Sequence, residues 1–462
     1  MLAKSANRVS LQMLCVAALA AGCSSTPLPP DCGAPGGLCA SIPAKTSAAP
    51  NPAPLPPPPP EPAPPPAETF AVALPGTSAI ADAPAAASAS APDQPAAKDE
   101  QNATPSGQSV RIGLLLPLRS EALGPAAESV RAGFMAAWDR DRDNIAVSVI
   151  ETGEVAQDVL SAYASALEQE DVIVGPLSRA AVGAVAASPL LSKPTIVLNL
   201  PEGGGPLPPL MLAMGLSIEE EARQAAQWAG AEHPHNSALI LTTSMPWQRR
   251  VASAFEAQWQ RFGQPVKTIE LGTPNGSLSY QELSTLRSRV QAEAPGVLLS
   301  ALDTDQTRQV RAALLDPYAP GGGIAASALA SNGQAKTSDL PIYGTSALNP
   351  GNNFGAPELD GVHLLDLPWQ LQPDHPAVMT YPHPVAPAER RAGAADMARL
   401  YALGIDAYRV AREIAHHPAG RFHLDGVTGR LTVDFGSGPA SFERAEQVAV
   451  YKNGQPQPVT QQ

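Results

Sequence analysis

The sequence RIGLLLPL, residues 111–118, decides the fold class. It is a short apolar run that ends at a proline, which is typical of a strand buried on both faces of a parallel sheet. Helix-like and strand-like segments then alternate as far as Leu200, and this βαβ order predicts a parallel sheet covered by helices. The predicted helices are 125–139, 155–169 and 179–187, and the further strands are 145–150, 171–176 and 194–200.

The same alternation starts again after residue 217. About 345 residues carry two such sets, which is more than one hydrophobic core serves. We therefore predict an α/β domain over 110–455 with two lobes and a cleft, then a flexible tail at 456–462. The predicted strands are 238–242, 266–271, 296–301, 341–345, 361–367 and 431–435, and the helices are 218–230, 247–262, 280–292, 304–315 and 394–416. Residues 317–340 are rich in Gly, Ala and Ser and are interpreted as an insertion or a loose loop.

Residues 23–109 form a segment of low complexity that is dominated by Pro, Ala and Ser. Many of the 51 prolines lie here, including an unbroken run at 56–60. Such a segment buries too little apolar surface to offset its ordering entropy, so a disordered tether is predicted. In polyproline II geometry it would reach at most about 260 Å. A proline-rich ligand for some partner is the alternative interpretation.

The first 22 residues have the features of an export signal. Lys4 and Arg8 precede a short apolar stretch at 11–21, which ends in LAAGC at 19–23. Small residues followed by Cys resemble a bacterial lipobox, although Ala20 stands where Leu is more usual. Cys23 is therefore the predicted lipidation site, with an ordinary secretory signal as the alternative. Ser24, rather than Asp, follows the cysteine, which favours the outer membrane.

Two further cysteines lie in the predicted tether. Six residues separate Cys32 from Cys39, and an oxidising periplasm favours a small disulfide loop. Two free thiols are the alternative. No cysteine lies in the predicted α/β domain, so thiol catalysis is excluded there.

The charge and composition argue against nucleic-acid binding. The formal net charge is −13, whereas a nucleic-acid surface is basic. The aromatic content is only 5%, which disfavours platforms for base stacking.

Several stretches, in order, resemble the penicillin-binding protein activator lipoproteins of the LppC/LpoA type. They are RIGLLLPL (111–118), RAGFMAAW (131–138), VIVGPLSRAAVGAVA (172–186), PTIVLNLP (194–201), GLSIEEEARQAAQWA (215–229), ALILTTSMPWQRRVASAFEAQWQRFG (238–263) and DGVTGRLTVDFGSG (425–438). The resemblance covers about residues 110–454. It implies a type I periplasmic binding protein fold, with two Rossmann-like lobes and three chain crossings between them. In enteric members a helical repeat domain precedes this domain, and here the Pro-rich segment stands in its place.

The resemblance also implies a function. Lipoproteins of this family reach inward from the outer membrane and stimulate a class A penicillin-binding protein by direct contact. That synthase is the expected partner, and the lipid anchor is the expected membrane contact.

Candidate cleft residues follow from the position of ligands in open α/β sheets, beyond the carboxyl ends of the strands. The candidates are Arg119, Ser120, Leu177, Ser178, Asn199, Trp247 and Asp303. Amino-acid binders usually carry Ser or Thr where this chain has Asn199-Leu200-Pro201, and many carry Tyr-Gly where it has Pro246-Trp247. A small-molecule ligand is therefore not expected, and a closed or vestigial cleft is predicted.

No motif indicates catalysis, a metal or a cofactor. Asp434-Phe435-Gly436 lacks the other kinase motifs, and the glycines at 203–205 precede Pro-rich sequence rather than a helix. No two of the eight histidines form a zinc-protease pair around a Glu. The chain is therefore predicted to be no enzyme. The main hypothesis is a regulator of a cell-wall synthase, and the alternatives are a solute-binding lipoprotein for a transporter and, with less support, a cell-wall hydrolase.

Overall fold

The computed structural model describes residues 109–202, 204–315, 340–351, 355–384 and 393–460. All of them lie within one compact unit, 99–462. The predictions for the export signal, for Cys23, Cys32 and Cys39, for the Pro-rich tether and for nearly all of the insertion at 317–340 fall outside these residues.

The first lobe is built on a parallel five-stranded sheet in the order β2-β1-β3-β4-β5. Its elements are β1 (Val110–Leu116), α1 (Gly124–Arg140), β2 (Ile145–Glu151), α2 (Ala156–Gln169), β3 (Val172–Val174), α3 (Arg179–Ala187), β4 (Thr195–Val197) and β5 (Met211–Ala213). Side chains of a strand alternate between the two faces of its sheet. Leu114 therefore packs with Phe134 of α1, whereas Leu115 packs with Tyr163 of α2. Both faces are covered by helices, which explains the continuous apolar run of β1.

The second lobe is built on a seven-stranded sheet in the order β15-β14-β10-β9-β8-β6-β7. Its elements are α4 (Ile218–Glu232), β6 (Ala238–Thr242), α5 (Pro246–Arg261), β7 (Val266–Glu270), α6 (Tyr280–Glu293), β8 (Val297–Ser300), α7 (Thr304–Leu315), β9 (Ile342–Gly344), β10 (His363–Asp366), β14 (Gln447–Lys452) and β15 (Gln455–Pro458). Five strands are parallel, while β14 and β15 join antiparallel at one edge. Helices α4 and α5 cover one face, and α6 and α7 cover the other.

The chain passes between the lobes three times. It leaves the first lobe between β5 and α4, and it returns after β10. The returning segment contains two short helices, α8 (Pro368–Leu371) and α9 (Pro376–Met379), the long helix α10 (Ala394–His416), and an antiparallel sheet of β11 (Gly420–Asp425), β12 (Arg430–Phe435) and β13 (Ser441–Ala445). The third passage consists of Glu446 alone, which separates β13 from β14.

Helix α10 completes the core of the first lobe by packing closely on α1. A Cβ atom on Gly133 would lie 1.9 Å from the carbonyl oxygen of Tyr401, and one on Gly404 would lie 2.1 Å from that of Val130. The two glycines thus allow the helix backbones to touch, because no side chain intervenes. The rings of Phe134 and Tyr408 meet edge to face, with centroids 5.3 Å apart.

The predicted fold class is confirmed: the protein has two α/β lobes with parallel sheets. The prediction of a flexible tail at 456–462 is wrong for residues 456–458. Residues 455–458 form β15 and pair with β14. Pro456 and Pro458 suit this place, since an edge strand leaves part of its N–H groups unpaired. The prediction also missed β5, β11, β13 and β14.

Candidate functional site

The polar candidates after β1 bond within their own lobe. Arg119 lies 2.7 Å from a carboxylate oxygen of Asp158. The hydroxyl of Ser120 donates to Glu154 and accepts from the backbone N–H of Leu123 at 2.7 Å. A hydrogen bond from Gly153 and the ion pair with Arg119 lower the pKa of Asp158. These groups organise the loop before α1 rather than remaining available to a ligand.

The candidates after β3 and β4 are engaged in the same way. Ser178 caps α3 by accepting from the N–H of Ala181 at 3.2 Å. The side-chain amide of Asn199 donates to the carbonyl oxygen of Leu177 at 3.1 Å and accepts from the N–H of Leu200 at 2.9 Å. Leu177 itself is buried. In the first lobe, every polar candidate therefore has a partner in its own neighbourhood.

Two candidates of the second lobe line a cavity of about 530 Å³ at the carboxyl ends of β8 and β9. Trp247 and Asp303 both line it, together with Ser346 and Arg399. Asp303 caps α7 by accepting from the N–H of Gln306 at 2.8 Å, and burial raises its pKa. The structure thus brings Trp247 and Asp303 together but leaves the first-lobe candidates elsewhere.

A set of buried charges at the three passages, which the sequence did not predict, ties the lobes together. We call it the crossover cluster, and its members are Glu221, Asp366, Arg399, Arg444 and Glu446. All five side chains are buried.

Arg399 of α10 reaches from the first lobe into the second. It makes a two-pronged ion pair with Asp366, at 2.9 and 2.7 Å, and donates to the carbonyl oxygens of Ser346 and Asn349 at 3.1 and 2.8 Å. Burial disfavours the charge of Arg399, but the pairing with Asp366 outweighs burial and raises its pKa. Such a planar, bidentate pair fixes geometry as well as charge.

Arg444 of β13 fastens the third passage to the first. It donates to the carbonyl oxygens of Met214 and Gly215, both at 2.9 Å. The side chain of Gln224 on α4 donates to the carbonyl oxygen of Arg444 at 2.9 Å and accepts from the N–H of Glu446 at 3.1 Å. The passages are therefore held by side chains as well as by the chain itself.

The two glutamates of the cluster, Glu221 and Glu446, have raised pKa values. Burial raises the pKa of Glu221 to about 7, although its carboxylate accepts from the N–H and the hydroxyl of Ser346 at 2.7 and 3.0 Å. Burial, and then the nearby charge of Glu221, raises the pKa of Glu446 well above its usual value. Burial therefore favours the protonated form of both carboxyl groups.

An ion triad links the lobes at the mouth of the cleft. Glu219 of α4 lies 2.8 Å from Arg250 in its own lobe and 3.6 Å from Arg179 of α3 in the other lobe. Although burial opposes the charge, the backbone N–H of Glu219 and the two guanidinium groups hold its pKa below the usual value.

One signal in the sequence indicates the cluster. Arg399 falls on the apolar side of α10, where a charge needs a buried partner. The partners themselves come from distant strands, so their identity is not readable from spacing.

Within the described ranges, no group of three or more His, Cys, Asp or Glu residues could hold a metal ion. None of the helices in that part of the chain combines the length and apolar character of a membrane span.

The family model described as "LppC putative lipoprotein" matches residues 84–454. The chain belongs to the LppC family. The match begins inside the segment predicted to be a tether and ends near the start of β15.

Curated relatives of this chain include proteins named as penicillin-binding protein activators. The activator LpoA of Photobacterium profundum is 27% identical over 347 residues, which are 70% of this chain and 53% of that protein. LpoA of Vibrio vulnificus is 27% identical over 356 residues, or 71% of this chain and 55% of that protein. The chain thus spans about half the length of the curated relatives that it matches.

Solved structures that share the fold include an LpoA protein and a protein named as a transporter. Full-length LpoA of Haemophilus influenzae superposes with a TM-score of 0.57 at 22% identity, over 76% of this chain and 59% of that chain. A Chromobacterium violaceum protein described as a "putative branched-chain amino acid ABC transporter" gives a TM-score of 0.57 at 32% identity, over 74% of this chain and all of that one.

Proposed function

We propose that this LppC-family protein is an outer-membrane lipoprotein that binds and activates a class A penicillin-binding protein. The observation that carries the proposal is the family match over 84–454, with relatives that are named as activators of a penicillin-binding protein. The same names support a regulator rather than an enzyme.

The site supports action by contact. The polar groups at the first-lobe lip of the cleft are bonded internally, as Ser178 and Asn199 illustrate. A ligand at that lip would have to break these bonds, which lowers the net gain of binding. We infer that the surface of the lobes, rather than chemistry in the cleft, acts on the partner.

Anchor and tether complete the proposal. A lipid on Cys23 would hold the protein at the outer membrane, and residues 24–109 would extend the two-lobed domain towards a synthase in the inner membrane. Stable anchoring needs more than one acyl chain, which a bacterial lipoprotein N-terminus supplies.

The test is glycan polymerisation by a purified class A synthase from the same cell, with and without the full-length protein in detergent. We expect co-purification of the two proteins and a several-fold faster polymerisation. If the protein neither binds any class A synthase of that cell nor changes its rate, the proposal is wrong.

The anchor has its own test. Mass spectrometry of the exported protein should find an acylated N-terminal peptide that begins at Cys23, and Cys23→Ala should release the protein from the membrane fraction. An unmodified Cys23 in a membrane-free protein would refute the anchor.

A solute-binding role is the second candidate, because the 32% identical Chromobacterium protein carries a transporter name. A thermal-shift series with leucine, isoleucine and valine separates the two roles. A ligand at a hundred times its Kd stabilises by about 2.7 kcal/mol. We expect no shift, and a clear shift with one of the three would favour the transporter role.

A further inference from the structure

A polar groove, distinct from the cleft cavity, runs beside the three passages. This side groove has a volume of about 1300 Å³ and lies between the β11–β13 sheet of the first lobe and helix α4 of the second. Pockets for compact ligands usually measure about 300–1,000 Å³. The side groove therefore has room for a ligand that is longer than a single amino acid.

The β-sheet wall of the side groove presents two unpaired charges of opposite sign. Arg430 on β12 and Glu443 on β13 are exposed and line the groove. Strands β12 and β13 are neighbours in the sheet. Arg430 lies opposite Ala445, and Glu443 lies opposite Thr432. Among the described residues, neither side chain has a hydrogen bond or an ion pair, so each is available to a ligand. Opposite them, Gln227 of α4 adds an exposed amide.

The floor of the side groove holds an unpaired, buried carboxyl group. Glu446 is only 9% exposed, lines the groove, and has an Oε2 atom without a hydrogen-bond partner in the described part of the chain. A buried polar atom without a partner is costly, and such atoms call for an explanation. A ligand that reaches the floor would supply the missing partner.

The surroundings of Glu446 set its charge. Glu221 on α4 and Asp366 on β10 raise its pKa, whereas Arg444 on β13 and Arg399 on α10 lower it. Burial is the largest effect, and it raises the pKa of the carboxyl group well above its usual value. A cation that binds beside it favours the ionised form, so binding should release a proton.

We propose that the side groove binds the peptide stem of peptidoglycan, which carries an ammonium group on a flexible arm and free carboxylates. The ammonium group would reach past Glu443 to Glu446, and a carboxylate would pair with Arg430. A flexible arm is required because the acid lies at the floor, out of reach of a charge on the main chain. The choice of the peptidoglycan stem as the source of this chemistry rests on the proposed function.

An occupied side groove would join the two lobes. Arg430 and Glu443 belong to the first lobe, Gln227 belongs to the second, and Glu446 is the passage between them. Binding of the peptidoglycan stem would thus act on the part of the molecule where the lobes meet.

Calorimetric titration of the full-length protein tests the proposal. The probe is a soluble disaccharide-tripeptide fragment of peptidoglycan with a free side-chain amine at its third amino acid, at pH 7 in phosphate and in Tris. We expect binding with release of about one proton, seen as a difference between the two buffers. The same fragment with that amine acetylated should bind at least tenfold more weakly and release no proton.

Variants locate the binding. Glu446→Gln should abolish proton release and weaken binding at least tenfold. Arg430→Ala, at an exposed position that is safe for folding, should weaken binding to a similar degree. Arg421→Ala, on the same sheet but outside the groove, should bind like the unchanged protein.

Three results would overturn the proposal: no heat of binding at millimolar fragment, equal binding of the acetylated fragment, or unchanged binding by Arg430→Ala. Stimulation of the synthase is measured separately. Binding without stimulation would refute the proposed function alone, and stimulation without binding would refute the side groove alone.

Discussion

Arg399 and Asp366 form the most buried ion pair that links the two lobes, with Arg399 8% and Asp366 0% exposed. Removing one partner leaves the other as an uncompensated buried charge, which costs about 3–5 kcal/mol. We therefore expect Arg399→Leu to lower the free energy of unfolding in urea by that amount. Arg249→Leu is the control: its pair with Glu270 is exposed, so a loss below about 1 kcal/mol is expected. Equal losses would contradict a special role for the buried pair.

Glu221 makes stability depend on pH. Its pKa rises from 4.5 to about 7 on folding, so the folded state holds a proton that the unfolded state has lost. The stability from this group is complete below pH 4.5 and falls as the pH rises to about 7, by at most about 1.4 kcal/mol per pH unit. Urea unfolding at pH 5, 6 and 7 should show this fall, to which Glu446 adds.

Glu221→Gln is the matched variant for the pH series, since an amide cannot ionise. Its stability should depend less on pH between 5 and 7 than that of the unchanged protein. If the free energy of unfolding had the same pH dependence in both proteins, Glu221 would not be its cause.

At the scale of elements, the close contact between α1 and α10 can be tested by adding a methyl group at the interface. In Gly404→Ala the new methyl would meet the carbonyl oxygen of Val130, and backbone cannot move aside cheaply. We expect a loss of about 1–3 kcal/mol in the free energy of unfolding. Gly183→Ala in α3 is the control, because nothing lies within 4 Å of the new atom. It should gain about 0.5–1 kcal/mol, since Ala favours a helix over Gly. A gain from both variants would show that the helices lie farther apart.

The sequence allowed the elements with strong local patterns to be predicted. Strand β1 is apolar throughout because both of its faces are buried, and α10 is long enough for its period to be plain. Strand β5 was missed because three residues, Met211–Ala213, follow a Pro-rich stretch. Strand β15 was missed because Gln455–Pro458 has no apolar pattern and depends on pairing with β14.

The candidate site was less predictable for the same reason. The carboxyl ends of the strands were placed correctly, and Trp247 and Asp303 do share a cavity. The internal bonds of Ser178 and Asn199, and the meeting of Asp366 with Arg399, depend on how distant segments pack. Local spacing does not encode such contacts.

At the scale of the whole molecule, the ion triad predicts how the lobes move. Arg179→Glu would place a carboxylate opposite Glu219, and like charges at that distance repel. We expect a wider cleft, measured by small-angle scattering as a larger radius of gyration. The increase in the radius of gyration should be smaller in 1 M salt, where the Debye screening length is about 3 Å.

Arg249→Glu provides the control for the scattering experiment, because its partner Glu270 belongs to the same lobe. This variant should leave the radius of gyration unchanged. If both variants expand the protein equally, the effect is general charge repulsion and not the triad.

The order of elements along the chain also determines when contacting helices are synthesised. Tyr408 of α10 donates to the carbonyl oxygen of Asp141, next to α1, across 267 residues of sequence. A chain that emerges N-terminus first therefore presents the apolar side of α1 long before α10 arrives to cover it. Late closure of such distant contacts slows folding and exposes apolar surface meanwhile. Until residues 394–416 have been made, the apolar side of α1 therefore lacks the helix that covers it in the folded protein.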